Sequence, residues 1–130
     1  MDTVIKLYEG MFVLPQTLVR EDKEKAFGVI KSILEKFEAK TEYMDIWQER
    51  PLAYEIKNVR NATYILTYFK AQPEVISKIE RLINITDDIL RALIIRCEQA
   101  VDYENLGDFD DIEPINMDNN IPINTEEVIV

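Results

Sequence analysis

The sequence predicts one small α+β domain of four strands and two helices, followed by an acidic segment. Two amphipathic helical stripes, within residues 20–39 and 73–83, stand between runs of strand-forming residues. The 130 residues, 47% of them hydrophobic, suffice for one buried core but not for two well-formed domains. Because residues 100–130 contain nine acids and no base, we place the domain at residues 1–99 and an acidic, disordered tail at residues 100–130.

The first strand and the first helix follow from the N-terminal pattern. Residues 6–14 are rich in strand formers and end at Pro15. Apolar side chains then recur every three or four positions from residue 20 to residue 39, which predicts a helix with one buried stripe. The stripe consists of Ala26, Ile30, Ile33, Leu34 and Phe37. Gly28 costs this helix about 1 kcal/mol relative to alanine, and we expect it to mark a close approach to a strand.

A hairpin is predicted in the middle of the chain. Residues 40–47 and 52–57 have strand character, and Pro51 between them belongs at an edge or a bulge because proline cannot donate to a ladder. A short turn at residues 58–61 leads into a clear strand at residues 62–71. The two runs are therefore expected to pair.

A second helix and a last strand complete the pattern. Pro73 suits a first helical position, and an apolar stripe follows it as far as Ile83. After a turn at residues 86–88, residues 89–98 read as a strand. The order strand, helix, strand, strand, helix, strand is typical of the ferredoxin-like split β-α-β fold (β-α-β-β-α-β), in which two helices cover one face of a four-stranded antiparallel sheet. We expect the other face to be free and to bind a partner.

The net charge of −10 resides almost entirely in the tail. Residues 1–99 contain 16 acids and 15 bases, so the domain is nearly neutral. Phosphate contacts require lysine or arginine, and the domain can therefore carry a modest basic patch but not a strong one. The tail interleaves its acids with apolar side chains. It is either a solubilising segment or a segment that orders on a basic, partly apolar partner.

Residue types that support catalysis or metal binding are scarce. Histidine is absent, the single Cys97 permits no internal disulfide, and no glycine-rich phosphate loop occurs. Cys97 is expected to be a buried small hydrophobe. Acylphosphatases share the predicted topology but need an arginine-bearing loop after the first strand, where this chain has Leu-Pro-Gln-Thr at residues 14–17. We predict no enzyme activity, cofactor, metal site or small-molecule substrate. No apolar run is long enough to predict a membrane span, and the N-terminus has no targeting pattern, as expected of a cytoplasmic protein.

RNA-recognition modules also share the topology, and they stack bases on aromatic side chains of the sheet. The stretch before the third strand here, residues 60–63, lacks their glycine and first aromatic residue. We consider Tyr8, Tyr64 and Tyr68 as neighbours on one sheet face, with core packing favoured over base stacking. Six cations in strands or at strand ends supply few phosphate contacts, so an RNA-binding role would require a more basic partner. They are Lys6, Arg50, Lys57, Arg60, Arg91 and Arg96.

Several motifs resemble the bacterial small ribosomal subunit protein six family. They are Tyr8-Glu9, Trp47 and Arg50 before Leu52-Ala53-Tyr54-Glu55-Ile56-Lys57, Ala62-Thr63-Tyr64, and Asp87-Asp88-Ile89-Leu90-Arg91. The resemblance covers residues 5–99, and Leu-Ala-Tyr-x-Ile is its most specific element. It implies a ferredoxin-like structural protein of the cytoplasmic ribosome. It further implies a heterodimer with ribosomal protein eighteen that binds the central domain of small-subunit ribosomal RNA on the platform.

Six residues are candidates for RNA or partner contact by their position in that family. They are Lys6, Tyr8, Arg50, Tyr54, Arg91 and Arg96. The family often has glycine and a base at the positions of Gln48 and Glu49, and often a base at Asn84, so the expected contacts shift toward protein. The alternative is a free-standing interaction or regulatory domain of the same fold, such as a homodimer formed through the open face.

Overall fold

A four-stranded sheet with helices on one face makes up the structure, a computed structural model that describes residues 4–99 and Val101. The strand order is β2-β3-β1-β4, and every neighbouring pair is antiparallel. This is the ferredoxin-like arrangement that the sequence predicts. The elements are β1 (Lys6–Pro15), α1 (Gln16–Glu21), α2 (Lys23–Lys36), β2 (Lys40–Ile56), β3 (Val59–Ala71), a 3₁₀ turn (Pro73–Val75), α3 (Ile76–Asn84) and β4 (Arg91–Arg96).

The main core lies between the helices and the sheet side that they cover, here called the helix face. Alternate residues of the two central strands point into it, as the two-residue period of a strand requires. The fully buried side chains from these strands are Phe12, Leu14, Ile65 and Phe69. The helices contribute Ala26, Ile30, Ile33, Leu34, Ile79 and Ile83. Each large apolar side chain buried in this way contributes about 1.5–3 kcal/mol of transfer free energy.

The predicted helix at residues 20–39 is in fact two helices, α1 and α2. Asp22 separates them with an extended backbone (φ −155°), and its carboxylate accepts a hydrogen bond from the Lys25 amide at 3.0 Å. An aspartate in this position satisfies one of the free N–H groups at a helix start. A capping side chain therefore ends one helix and begins the next inside a continuous apolar stripe.

The expectation that Gly28 marks a close approach to a strand is wrong. Gly28 is exposed on α2, and a Cβ atom built there would meet no atom within 4 Å. The close approach is at Gly10 in β1 instead, where a Cβ would lie 2.7 Å from Cε1 of Phe12.

β2 and β3 form a long hairpin with an abrupt turn. β2 is one strand of 17 residues instead of two, interrupted by register shifts, one of which follows Pro51 at the sheet edge as predicted. The turn consists of Lys57 and Asn58 alone, both with positive φ (51° and 65°). Two positive φ values are characteristic of a type I′ turn, whose twist matches that of the flanking strands. The turn is thus shorter than the one predicted at residues 58–61.

The end of this hairpin folds over the sheet side opposite the helices, here called the open face. The Lys57 ammonium donates to the Ile89 carbonyl at 3.4 Å, and Arg91 Nη1 donates to the Tyr54 hydroxyl at 3.4 Å. Because β2 and β4 lie at opposite edges of the sheet, these contacts require the hairpin end to cross β3 and β1. Bulges increase local twist, and the register shifts in β2 supply this bend.

A second apolar cluster, here called the open-face cluster, lies beneath the hairpin end. Its buried members are Met11, Val13, Ala62, Tyr64, Leu66, Tyr68 and Leu90. Its partly buried members are Leu7, Tyr43, Trp47, Leu52, Ile56, Val59, Leu93, Cys97 and Val101. The prediction of a free sheet face is therefore wrong in part, since much of this face is covered by the chain's own hairpin.

The described chain ends on the open face. After β4, the Cys97 amide donates to the Leu7 carbonyl at 2.8 Å, and Val101 packs against the open-face cluster. The prediction of a disordered tail at residues 100–130 lies outside the described residues, apart from Val101. In the part of the chain that the structure describes, no helix is long and apolar enough to cross a membrane.

Candidate functional site

Three of the six candidate contact residues come together on the open face. Directly paired residues of neighbouring strands share a sheet face. Arg50 pairs with Ala62, and Arg91 pairs with Val13, both partners being buried in the open-face cluster. Tyr54, 53% exposed, joins them through its hydroxyl, which accepts the hydrogen bond from Arg91. Residues that lie on β2 and β4 in the sequence are thus brought together by the bend of the hairpin.

The other three candidates lie toward the helix face, at the end of the sheet where β1 begins. Tyr8 pairs directly with Arg96, and Lys6 pairs with Ala71 of the main core. The Arg96 guanidinium also approaches Glu98, at 4.0 Å. The six candidates therefore form two separate groups on opposite faces, a division that the sequence did not indicate.

The expectation that Tyr8 shares a face with Tyr64 and Tyr68 is wrong. Tyr8 is only 6% exposed, and its ring stacks on Phe69 in the main core with the centroids 5.7 Å apart. Burial raises the pKa of the Tyr8 hydroxyl, and the positive charge of Arg96 partly opposes this shift. Tyr8 is a core residue that packs beside Arg96, consistent with the packing role that the sequence favoured for all three tyrosines.

Aromatic side chains form the centre of the open-face cluster. Trp47 meets Tyr64 edge-on, with ring centroids 6.1 Å apart at 70°, and Tyr43 meets Tyr68 with centroids 6.2 Å apart at 55°. Such pairs contribute about 0.5–1.5 kcal/mol beyond the burial of their area. Trp47, expected from the sequence to be a packing or interface residue, does pack here.

Arg50 lies over this aromatic centre. Its guanidinium carbon is 5.3 Å from the centroid of the Tyr64 ring, the geometry of a cation–π interaction. A planar guanidinium held against an aromatic face keeps its edge donors in fixed directions, which suits recognition of phosphate or carboxylate groups. Arg50 is half-buried and therefore combines a fixed position with access to a ligand.

Charged side chains around the cluster are mainly positive. Six bases and four acids of the described residues lie on the open face or on the hairpin end that folds over it. The bases are Lys40, Arg50, Lys57, Arg60, Lys70 and Arg91, and the acids are Glu9, Glu42, Asp45 and Glu55. The acids are engaged locally, for example Glu9, which accepts a hydrogen bond from the Tyr68 hydroxyl at 2.7 Å. A nearly neutral domain thus has a locally basic, aromatic surface.

The arrangement is suited to binding and offers little for covalent chemistry. Burial raises the pKa of the Cys97 thiol to about 11, with the nearby charges of Glu9 and Glu98 acting in the same direction. The thiolate is the reactive form of cysteine, and at neutral pH it is a minor species here. Among the described residues, no group of three or more histidine, cysteine or acidic side chains is placed to hold a metal ion.

The sequence reasoning missed the cover over the open face and the role of Lys57 in fastening it. A usable signal was present in the apolar run of residues 11–14 and in residues 62–69, which contain no charged side chain and include only Thr63 and Thr67 among apolar and aromatic residues. Strands buried on both faces show continuous apolar runs, whereas strands with one solvated face alternate. The position of Lys57 could not be found in this way, because it depends on the bend of the hairpin.

Known proteins resemble this chain over most of the domain. The family model described as Ribosomal protein S6 matches residues 7–96. Small ribosomal subunit protein bS6 of Campylobacter jejuni (strain RM1221) is 36% identical over 94 residues, covering 72% of this chain and 75% of the relative. The protein of the same name from Helicobacter pylori (strain G27) is 37% identical over 97 residues, covering 75% of this chain and 68% of the relative. The crystal structure of 30S ribosomal protein S6 from Thermotoga maritima superposes with a TM-score of 0.61 at 25% identity, covering 72% of this chain and 89% of that one.

Proposed function

The chain belongs to the ribosomal protein S6 family, and we propose that it binds the central domain of small-subunit ribosomal RNA, on the platform, as a heterodimer with ribosomal protein S18. It is a structural protein of the small ribosomal subunit in the cytoplasm, and it is not an enzyme. The observation that carries the proposal is the Arg50 guanidinium held over Tyr64 at the centre of a basic, aromatic surface.

The charge of the domain supports a shared binding mode. Residues 1–99 contain 16 acids and 15 bases, so the long-range field of the domain attracts a polyanion only weakly. A protein that neutralises few phosphates binds RNA with low affinity. A basic partner beside the open face would add the missing cations, while the aromatic surface and Arg50 would add shape and fixed donors.

The second group of candidate residues, at the end of the sheet where β1 begins, would provide another contact with RNA or the partner. Lys6 and Arg96 present their charges there, and Tyr8 beneath them packs against Phe69. We infer that Tyr8 does not itself reach RNA or the partner, since its ring is buried. Its role would be to hold β1 and β4 in place beneath the charges of Lys6 and Arg96.

Binding measurements with and without the partner test the proposal. The full chain alone is expected to bind a central-domain RNA fragment weakly in about 0.15 M salt, and an equimolar mixture with S18 is expected to bind much more tightly. Filter binding or calorimetry gives both affinities. Tight RNA binding by the chain alone at that salt concentration would contradict the shared mode.

A charge-matched pair of variants tests the surface. Arg50→Gln is expected to weaken binding to the RNA–S18 complex by about 1–2 kcal/mol, because it removes a positioned guanidinium. Arg81→Gln removes the same charge from the exposed, last turn of α3 in the helix layer and should leave the affinity nearly unchanged. Equal losses in the two variants would mean that net charge matters and the open face does not.

Cofractionation distinguishes the ribosomal role from a free-standing interaction domain. The chain is expected to sediment with small ribosomal subunits in a sucrose gradient. If instead it remained in the unassembled fraction as a homodimer, the alternative would be correct.

A further inference from the structure

We propose that residues 102–113 dock on the open face of their own chain and cover it until RNA or the partner protein displaces them. This segment lies outside the described residues, and the inference comes from the surface on which the described chain ends. The regulatory consequence rests on the proposed function, whereas the docking itself can be measured without RNA.

The course of the last described residues directs the chain onto the open face. The hydrogen bond from the Cys97 amide to the Leu7 carbonyl holds the chain beside β1 after β4 has ended. Val101 then packs against the open-face cluster, as Cys97 does. The described chain therefore ends on this face and not on the helix side of the molecule.

The chemistry of the segment is complementary to that face. Residues 102–113 contain six acids and no base, and they interleave Tyr103, Leu106, Phe109 and Ile112 at intervals of three. The open face offers the opposite charge, with six bases against four acids, around the partly buried edges of an apolar and aromatic cluster. In one docked arrangement, the acids of the segment would pair with the cations of the open face, and its apolar side chains would pack against the aromatic residues.

The segment is long enough to reach the cations at the far end of the face. From Leu7, beside which Cys97 lies, to Val13, beside which Arg91 lies, β1 extends for about 20 Å. Twelve extended residues reach about 40 Å. The segment is therefore long enough to run from Val101 to Arg91 and Arg50.

Because the segment is covalently joined to the domain, weak contacts are sufficient to hold it on the open face. Exposed ion pairs contribute only about 0.2–1 kcal/mol each, but a short linker gives an effective local concentration of about millimolar. Several such pairs with some apolar contact would keep the face covered while leaving the cover displaceable. An RNA backbone competes for the same cations, so the segment would act as a tethered competitor that disfavours weak RNA sites.

Trp47 provides a direct readout of the cover. It is the single tryptophan of the chain, and it lies in the open-face cluster against Tyr64. We would compare the full-length chain with a proximal variant carrying Asp102→Asn, Glu104→Gln and Asp108→Asn. A distal control carrying Asp118→Asn, Glu126→Gln and Glu127→Gln loses the same charge from the far end of the tail.

The proximal variant is expected to show a red-shifted Trp47 emission and stronger acrylamide quenching than the unaltered chain, whereas the distal control should not. Raising the salt to about 1 M should increase quenching in the unaltered chain and the control, and should change the proximal variant little, because salt screens the pairing. Circular dichroism melts of all three proteins establish that the domain is folded.

Two results would overturn the docking. One is identical quenching in all three proteins at low salt. The other is quenching that falls as protein concentration rises, which would mean that a second copy covers the face. If docking is observed but the proximal variant binds RNA and S18 no more tightly than the control, the tail docks without regulating the site. If none of the three proteins bound RNA in the presence of S18, the proposed function would be contradicted and the docking result would still stand.

Discussion

Replacing Gly10 with alanine should destabilise the domain by about 1–3 kcal/mol, the usual cost of overpacking a buried site. The added methyl carbon would lie 2.7 Å and 3.3 Å from two ring atoms of Phe12, and 3.4 Å from a ring atom of Phe69. Both rings are fully buried in the main core, so neither can retreat without moving its neighbours. The chain must then shift β1, which is paired on both sides, or compress the core.

Gly28 provides a matched control for the same chemical change. It lies inside α2, it is exposed, and a Cβ atom there meets no atom within 4 Å. Alanine in a helix interior is favoured over glycine by about 0.5–1 kcal/mol. Gly28→Ala should therefore stabilise the domain while Gly10→Ala destabilises it.

Urea unfolding of the full chain, followed by circular dichroism, measures both effects. With a slope of about 1–3 kcal/mol per molar for a domain of this size, the two midpoints should move in opposite directions by a few tenths of a molar to about 1 M or more. Unchanged stability in Gly10→Ala, or shifts of the same sign in both variants, would refute the reasoning about Phe12.

Four further perturbations separate the roles of core residues, surface residues and buried ionisable groups. Ile30→Ala should cost about 2–5 kcal/mol in thermal melts, because Ile30 is fully buried. Tyr54→Ala should change stability by less than about 0.5 kcal/mol, because its side chain is exposed, yet weaken assembly with RNA and S18. If Ile30→Ala and Tyr54→Ala lowered stability equally and Tyr54→Ala assembled normally, the division between core residue and contact residue would be contradicted. The Cys97 thiol, whose pKa burial raises to about 11, should react with iodoacetamide at pH 7.5 more slowly than in the unfolded chain, and faster as the pH rises toward 11. Equal rates in folded and unfolded chain would show that burial does not hold the thiol neutral. Burial raises the pKa of Glu80, whose Oε2 has no hydrogen-bond partner in the described part of the chain. The folded state therefore binds the Glu80 proton more tightly, and ionisation opposes folding as the pH rises above 4.5. Glu80→Gln should stabilise the domain at pH 7 and lose this advantage below pH 4.5, whereas parallel stability curves across that range would contradict the assignment.

The order of elements and the ferredoxin-like arrangement could be predicted because they depend on hydrophobic periodicity. The stripe that contains Ile30 and Leu34 faces the core as expected, and Pro51 lies at an edge bulge. The division between α1 and α2 could not be predicted, because Asp22 both fits a first-turn acid and caps a helix start. Periodicity alone does not distinguish these two roles.

The site was harder to predict because it depends on register. Whether Tyr8 shares a face with Tyr64 is decided by which residues of β1 and β3 pair, and a shift of one residue reverses the answer. The grouping of Arg50, Tyr54 and Arg91 depends on the bend of the β2–β3 hairpin, which comes from bulges and not from residue types. The resemblance to the family identified these residues as candidates but did not indicate which of them lie together.

The central position of β1 has a consequence for how the molecule forms. β1 precedes the other three strands of the sheet in the chain, yet its neighbours on the two sides are β3 and β4, so that Lys6 pairs with Ala71 and Tyr8 pairs with Arg96. The β2–β3 hairpin can close from local contacts as soon as it leaves the exit tunnel, but β1 must wait for residues near the end of the domain. Folding slows as contacts become more distant along the chain. The first strand of the domain is thus the last to acquire both of its neighbours, and native pairing of β1 is completed only after synthesis of the whole domain.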